Sequence, residues 1–162
     1  MNLRENKHWA YGSYSFATSA LGQRIWASSA AVQIDKTTES IKELDREIRE
    51  YASGKTPAKA DEITKIQSTE VRGLPGSYET SMAVLGTISG IVLYGRPDDY
   101  AAQRATRITN LKAADVHTAA KAIQPNAVTW VIVGDLSKIE KGIRDLKLGD
   151  VKVIDADGKV LR

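Results

Sequence analysis

The stretch Ile25-Trp26-Ala27-Ser28-Ser29-Ala30-Ala31-Val32-Gln33-Ile34 puts Trp26, Ser28, Ala30, Val32 and Ile34 on one side of an extended chain, the two-residue period of a β-strand. Asp35 stops this strand and offers a helix cap. Ile41, Leu44, Ile48 and Tyr51 then recur at helical spacing, with Lys, Glu, Asp and Arg between them. Upstream, Trp9 to Ala17 reads as a second strand, rich in Tyr, Ser and Ala. The link from Thr18 to Gln23, with Gly22 inside it, is too short for a helical crossover, so the two strands are expected to be antiparallel.

Downstream of this hairpin the helices collect together. Gly54 ends the first, and Pro57 stands near the start of a second, about Ala58 to Leu74, which Leu74-Pro75-Gly76 breaks. Tyr78 to Tyr94 carries no charge except Glu79, and Met82, Leu85 and Val92 form a helical face around Gly86 and Gly90. Two glycines cost an exposed helix about 2 kcal/mol against alanine. They make sense where another backbone comes close, so a buried, tightly packed helix is expected. Gly95-Arg96-Pro97-Asp98 is a turn, with Asp98 able to cap a short helix from Asp99 to Ile108. A further helix runs from Ala113 to Ile123. Val128 to Val133 is the strongest strand signal, β-branched and aromatic, and suited to a central position. Asp135 or Ser137 caps a last helix through Ile139, Ile143 and Leu146, and a short strand from Val151 to Ile154 precedes an Asp157-Gly158 turn. This order predicts an α+β protein, a two-layer sandwich with helices on one face of a mostly antiparallel sheet.

The 162 residues suffice for one domain with a core. Hydrophobic residues at 42% and charged residues at 27% are ordinary for a globular protein. No apolar run approaches the length of a membrane span, and the net charge of +3 is spread along the chain, without the basic stripe that nucleic-acid binding calls for. With no cysteine, disulfides, thiolate nucleophiles and Cys metal sites are excluded. Nucleotide-binding glycine motifs and the G-x-S-x-G elbow do not occur.

No catalytic or metal residue can be named in this chain. A catalytic zinc needs three protein ligands, and the histidines are only His8 and His117. Glu5 and His8 lack a third ligand nearby, and neither H-E-x-x-H nor H-x-x-E-H is present. His117 is expected at a surface or boundary of its helix. Asp98 with Asp99, and Asp155 with Asp157, lie in turns, where solvation and capping account for them. What remains is Arg4 and Tyr11, which bracket the entry to the first strand. Their guanidinium and hydroxyl donors suit peptide carbonyls or a developing oxyanion; surface decoration is the ordinary reading of any such pair.

The opening Asn2-Leu3-Arg4-Glu5-Asn6-Lys7-His8-Trp9-Ala10-Tyr11-Gly12-Ser13-Tyr14-Ser15 resembles the N-L-R-E-x-x-G-x-x-Y-G-x-x-S block of the M16 peptidases, the insulinase, pitrilysin and mitochondrial-processing-peptidase group. Val32 to Thr37 resembles the family's strand-to-helix junction, and Leu93 to Tyr100 its L-Y-G-L-P-x-D-Y block. Leu111 to Val116 resembles V-T-A-E-D-V, and Trp130 to Asp135 resembles V-V-V-V-G-D. Five blocks in family order cover nearly the whole chain. The resemblance implies the LuxS/MPP-like metallohydrolase fold and the C-terminal, non-catalytic half of a two-halved zinc peptidase.

In that family one half carries H-x-x-E-H and the zinc, and the other contributes an Arg and a Tyr that hold the peptide. Here those positions are Arg4 and Tyr11. The implied partner is therefore a homologous H-x-x-E-H half, in the same polypeptide or a separate subunit, with a peptide as substrate. Zinc would sit in that half and no cofactor in this chain. A structural or assembly subunit of the same fold, without proteolysis, is the alternative. Three departures stand out. His8 occupies the block's first glycine, or that glycine is lost. Lys112 replaces a capping Thr, where Asn110 could substitute. A strand and a helix that precede this block in the family are not in the sequence. Residues 1–162 are thus expected to be a single, partial domain whose uncovered edge promotes self-association.

Overall fold

In the computed structural model, which describes Asn2–Arg162, the hairpin forms as its periodicity demands. Strand β1 (Ala10–Ala17) pairs with β2 (Trp26–Val32). Thr18 N–H donates to the Ile25 carbonyl at one end, and Gln33 N–H to that of Trp9 at the other, both at 2.9 Å, an antiparallel register. Trp26, Ser28, Ala30 and Val32 are half-buried while Ser29 and Ala31 are exposed, and the pattern ends before Ile34. Ile34–Lys36 is a 3-10 turn that runs directly into helix α1 (Thr37–Ser53). Asp35 lies inside that turn and is not the helix cap.

The helices are α2 (Ala60–Gly73), α3 (Ser81–Leu93), α4 (Tyr100–Asn110), α5 (Ala113–Ala120) and α6 (Leu136–Asp145). They and the hairpin make the chain α+β. It divides into two compact units, one of residues 2–16, 27–48 and 126–162, the other of residues 17–26 and 49–125.

In the first unit Leu3, Ile41 and Ile139 are the buried apolar side chains among the described residues. α6 packs on the 34–36 turn, and Gly142 gives Thr38 room where any Cβ would collide with its hydroxyl. The Asp135 carboxylate accepts from the backbone N–H (3.1 Å) and hydroxyl (2.6 Å) of Ser137. Asp135 rather than Ser137 is therefore the cap. The Ser137 hydrogen bond, before the nearby Lys138, holds this carboxyl below its ordinary value.

In the second unit α2 packs against α4. The Gln67 side-chain amide donates to the carbonyls of Ile108, Thr109 and Leu111 at 2.9–3.0 Å, so it satisfies the carbonyls that the end of α4 leaves without a helical partner. Gly54 closes α1 at φ +78, and the His117 ring lies where a Cβ on Gly54 would stand. His117 is thus a half-buried boundary residue. Lys112, not Asn110, is the N-cap of α5. A lysine side chain has no acceptor, so only the returning half of a capping box forms, from Lys112 N–H to the Asp115 carboxylate at 2.8 Å. The cap of α4 is Asp99, one residue beyond the expected Asp98.

Two expectations fail in the same direction. α3 exists, capped by the Thr80 hydroxyl accepting from Ala83 N–H at 3.2 Å, but it is not buried: Met82 is 74% and Val92 77% exposed. No other backbone approaches Gly86. Likewise, residues 128–133 form no strand. They alternate, with Val128, Trp130 and Ile132 half-buried and Thr129, Val131 and Val133 exposed, Val133 at 95%. The period of two is present, but no described strand lies alongside to close a ladder. Val151–Ile154 contributes a single bridge, Ile154 to Val160, closed over an Asp155–Gly158 turn in which Gly158 takes φ +83.

Candidate functional site

The opening residues fold as a single π-helical turn, Asn2–Asn6. Lys7 N–H donates to the Asn2 carbonyl at 3.0 Å and Trp9 N–H to that of Leu3 at 2.9 Å. The turn is closed by His8 at φ +56, a left-handed conformation that glycine adopts without the Cβ penalty. His8 therefore keeps the backbone geometry that a glycine would take at that point, at some conformational cost.

Three anchors hold the turn within the first unit. Leu3 is 2% exposed. The Glu43 carboxylate on α1 accepts from the Asn2 side-chain amide at 2.5 Å and pairs with Lys7 at 3.8 Å. Gln33, beyond β2, donates through its side chain to the His8 carbonyl at 3.3 Å. Arg4 lies between these anchors and projects outward, with its guanidinium carbon 5.4 Å from the centroid of the Tyr11 ring. Tyr11 is 84% exposed, and Arg4 also contacts Glu5 at 3.2 Å. Residues seven apart in sequence are thus brought into a cation–π contact, since the left-handed residue reverses the chain between the π turn and β1. The face so formed carries one guanidinium and one phenol open to solvent, a donor pair that a peptide carbonyl could reach. The contribution of Leu3 and Glu43 was not visible in the sequence: neither stands out by residue type, and only the fold joins position 43 to position 2.

Arg46, at 2.6 Å from Glu43, is the first reason the Glu43 carboxyl lies below its usual value, and Asn2 and Lys7 add to it against the opposing effect of burial. With a folded value below the unfolded one, this stabilisation is present above the ordinary carboxylate range and is lost as pH falls through the folded value. On acidification below pH ~4, amide exchange at Lys7 and Trp9 is therefore expected to accelerate relative to α6. In Glu43→Gln that acid step disappears and exchange is already faster at neutral pH. An unchanged acid step in Glu43→Gln would show that another group carries it.

Among the described residues no group of three His, Cys, Asp or Glu side chains is placed to hold a metal ion. His8 offers its carbonyl to Gln33, and the His117 ring packs on Gly54. No helix is long and apolar enough to cross a membrane.

Residues 1–69 match the family described as the peptidase M16 inactive domain. A crystal structure of a peptidase M16 inactive domain from Pseudomonas fluorescens shares the fold with a TM-score of 0.65 and 19% sequence identity, covering 76% of this chain and 29% of that one. The chain therefore spans less than a third of the length of that relative. No curated protein matches. The α+β fold is that of the M16 C-terminal domains. Its opening, residues 1–69, is thus similar to the peptidase M16 inactive domain.

Proposed function

We propose that this chain is the substrate-holding half of an M16-like zinc metalloendopeptidase, acting with a homologous half that carries H-x-x-E-H. The observation that carries the reading is the Arg4–Tyr11 contact at 5.4 Å, exposed on a turn whose flanking residues are tied down. Arg4 offers fixed guanidinium donors and Tyr11 a hydroxyl to the carbonyls of an extended peptide. Neither joins a metal shell; the zinc of the other half supplies the hydrolytic chemistry. Dialysed against trace zinc, this chain is expected to retain well under one equivalent, and the mixture of the two halves to retain zinc only in the partner. One tightly held equivalent in this chain alone would refute that division of labour.

The same reading supplies a partner for the extended segment 128–133. A strand and a helix upstream of Asn2 in the parent protein would pair along residues 128–133 and bury the exposed valines. An unpaired extended segment invites association, so the chain alone should self-associate in sedimentation. Extension upstream by about 50 residues, the length of a strand, a helix and their links, should abolish association and protect the amides of Val131 and Val133. A monomer whose amides are already as protected as in the extended chain would contradict it. A purely structural or assembly role for the same fold is favoured by the apolar face of α3, where Met82 and Val92 stand exposed. A partner without H-x-x-E-H would decide for it.

A further inference from the structure

The second unit holds a cavity of about 390 Å3 between the Pro75–Tyr78 turn, α3 and the start of α4. That volume is within the range of small-molecule sites, and none of its lining residues belongs to the opening block. Its chemistry is set by Arg96. The backbone there is fixed by a helix-ending motif in which Gly95 takes φ +57. Arg96 N–H donates to the Ile91 carbonyl at 2.9 Å, and Gly95 N–H to that of Val92 at 3.3 Å, closing the last turn of α3. Pro97 restricts the chain immediately afterwards.

The half-buried Arg96 side chain is held between aromatic rings, its guanidinium carbon 4.8 Å from the Tyr94 centroid and 4.5 Å from that of Tyr100. Gly90 leaves open the space beside its Nη1. Ring faces orient the cation but accept none of its in-plane N–H bonds. Arg104, the other arginine at the cavity, is already matched by Glu70 at 3.8 Å. No carboxylate among the described residues pairs with Arg96. The cavity thus contains one oriented guanidinium fork with its charge uncompensated, beside a wall formed by Ala83 and Ala101.

We propose that this cavity binds a small organic monocarboxylate, its two oxygens on the Arg96 fork and its apolar body along the Ala83–Ala101 wall. A planar carboxylate matches the fork in geometry. A single negative charge matches the one uncompensated cation, whereas a phosphate dianion would leave a surplus charge in a half-closed site. The carboxylate can belong to a free acid or to the C-terminus of a short peptide.

Titration calorimetry with hippurate, N-acetyl-dialanine, their amides and inorganic phosphate tests this on the chain as it stands. Both acids are expected to bind at least about tenfold tighter than their amides, the loss that follows from removing a charge-assisted pair, and tighter than phosphate. The better of the two acids identifies the source. Arg96→Leu should lower acid affinity by about tenfold or more. Arg96→Lys, which keeps the charge and the stacking position but not the fork, should fall between. The amide comparison stands on the unaltered chain should Arg96→Leu fail to fold. Equal binding of acids and amides, phosphate binding as tight as the acids, unchanged affinity in Arg96→Leu, or no heat from any probe at millimolar concentration would each overturn the proposal.

Discussion

Leu3→Ala is expected to destabilise the first unit by about 2–5 kcal/mol, the range for truncating a buried leucine. Leu3 is one of only three apolar side chains buried in that unit among the described residues. Against a net domain stability of roughly 5–15 kcal/mol such a loss is large. It should also have a local signature. With Leu3 truncated, the π turn keeps only its polar ties, to Glu43 at 2.5 Å from Asn2 and 3.8 Å from Lys7 and to Gln33 at the His8 carbonyl, and Arg4 loses its fixed position over Tyr11. Urea unfolding followed by far-UV circular dichroism measures the first effect, and amide exchange at Lys7 and Trp9 the second. A midpoint shift equivalent to less than about 0.5 kcal/mol, the scale of a surface substitution, would mean that the turn is held by its hydrogen bonds and not by this side chain.

The sequence announced local structure more faithfully than burial. Trp26 to Val32 alternates, and the chain there is a strand; Ile41, Leu44 and Ile48 recur at helical spacing, and the chain there is a helix. These outcomes follow from short-range periodicity and need no knowledge of neighbours. Burial needs neighbours. Tyr78 to Tyr94 lacks charge along most of its length, and that lack says only that some face is meant to be covered. The helix forms, yet Met82 and Val92 remain exposed, because no described element packs over them. Residues 128–133 carry the alternation of a strand without the ladder, since a ladder is a property of two segments.

The candidate site was legible only in part. Arg4 and Tyr11 stood out through the opening block, and the left-handed His8 brings them together. Glu43, far along the chain, gave no sign of tying that turn to α1. Arg96 lay inside an evident turn, but the Tyr94 and Tyr100 rings that flank its guanidinium become its neighbours only once the end of α3 has been closed by Gly95. Caps shifted by a residue for a simpler reason: Asp98 and Asp99 both suit a helix start, and the helix begins after the second.

On the proposed reading, Arg4→Ala in the two reconstituted halves is expected to lower kcat/KM for peptide hydrolysis about 100-fold or more. Loss of one donor that acts on the transition state costs on the order of 3 kcal/mol. Tyr11→Phe removes only the hydroxyl, leaves the ring beneath Arg4, and is expected to act in the same direction. Because the proposal gives neither side chain a place in the metal shell, zinc content should equal that of the unaltered pair, and this separates substrate holding from a damaged centre. Arg4 and Tyr11 are surface residues, so the urea midpoint should move by no more than about 0.5 kcal/mol. The decisive measurement is kcat/KM of the two variants, taken with zinc content and midpoint on the same samples. A large loss in turnover at constant zinc and constant stability is the predicted result. Unchanged kcat/KM in both variants would contradict the assignment of Arg4 and Tyr11, and with it the substrate-holding role of this half.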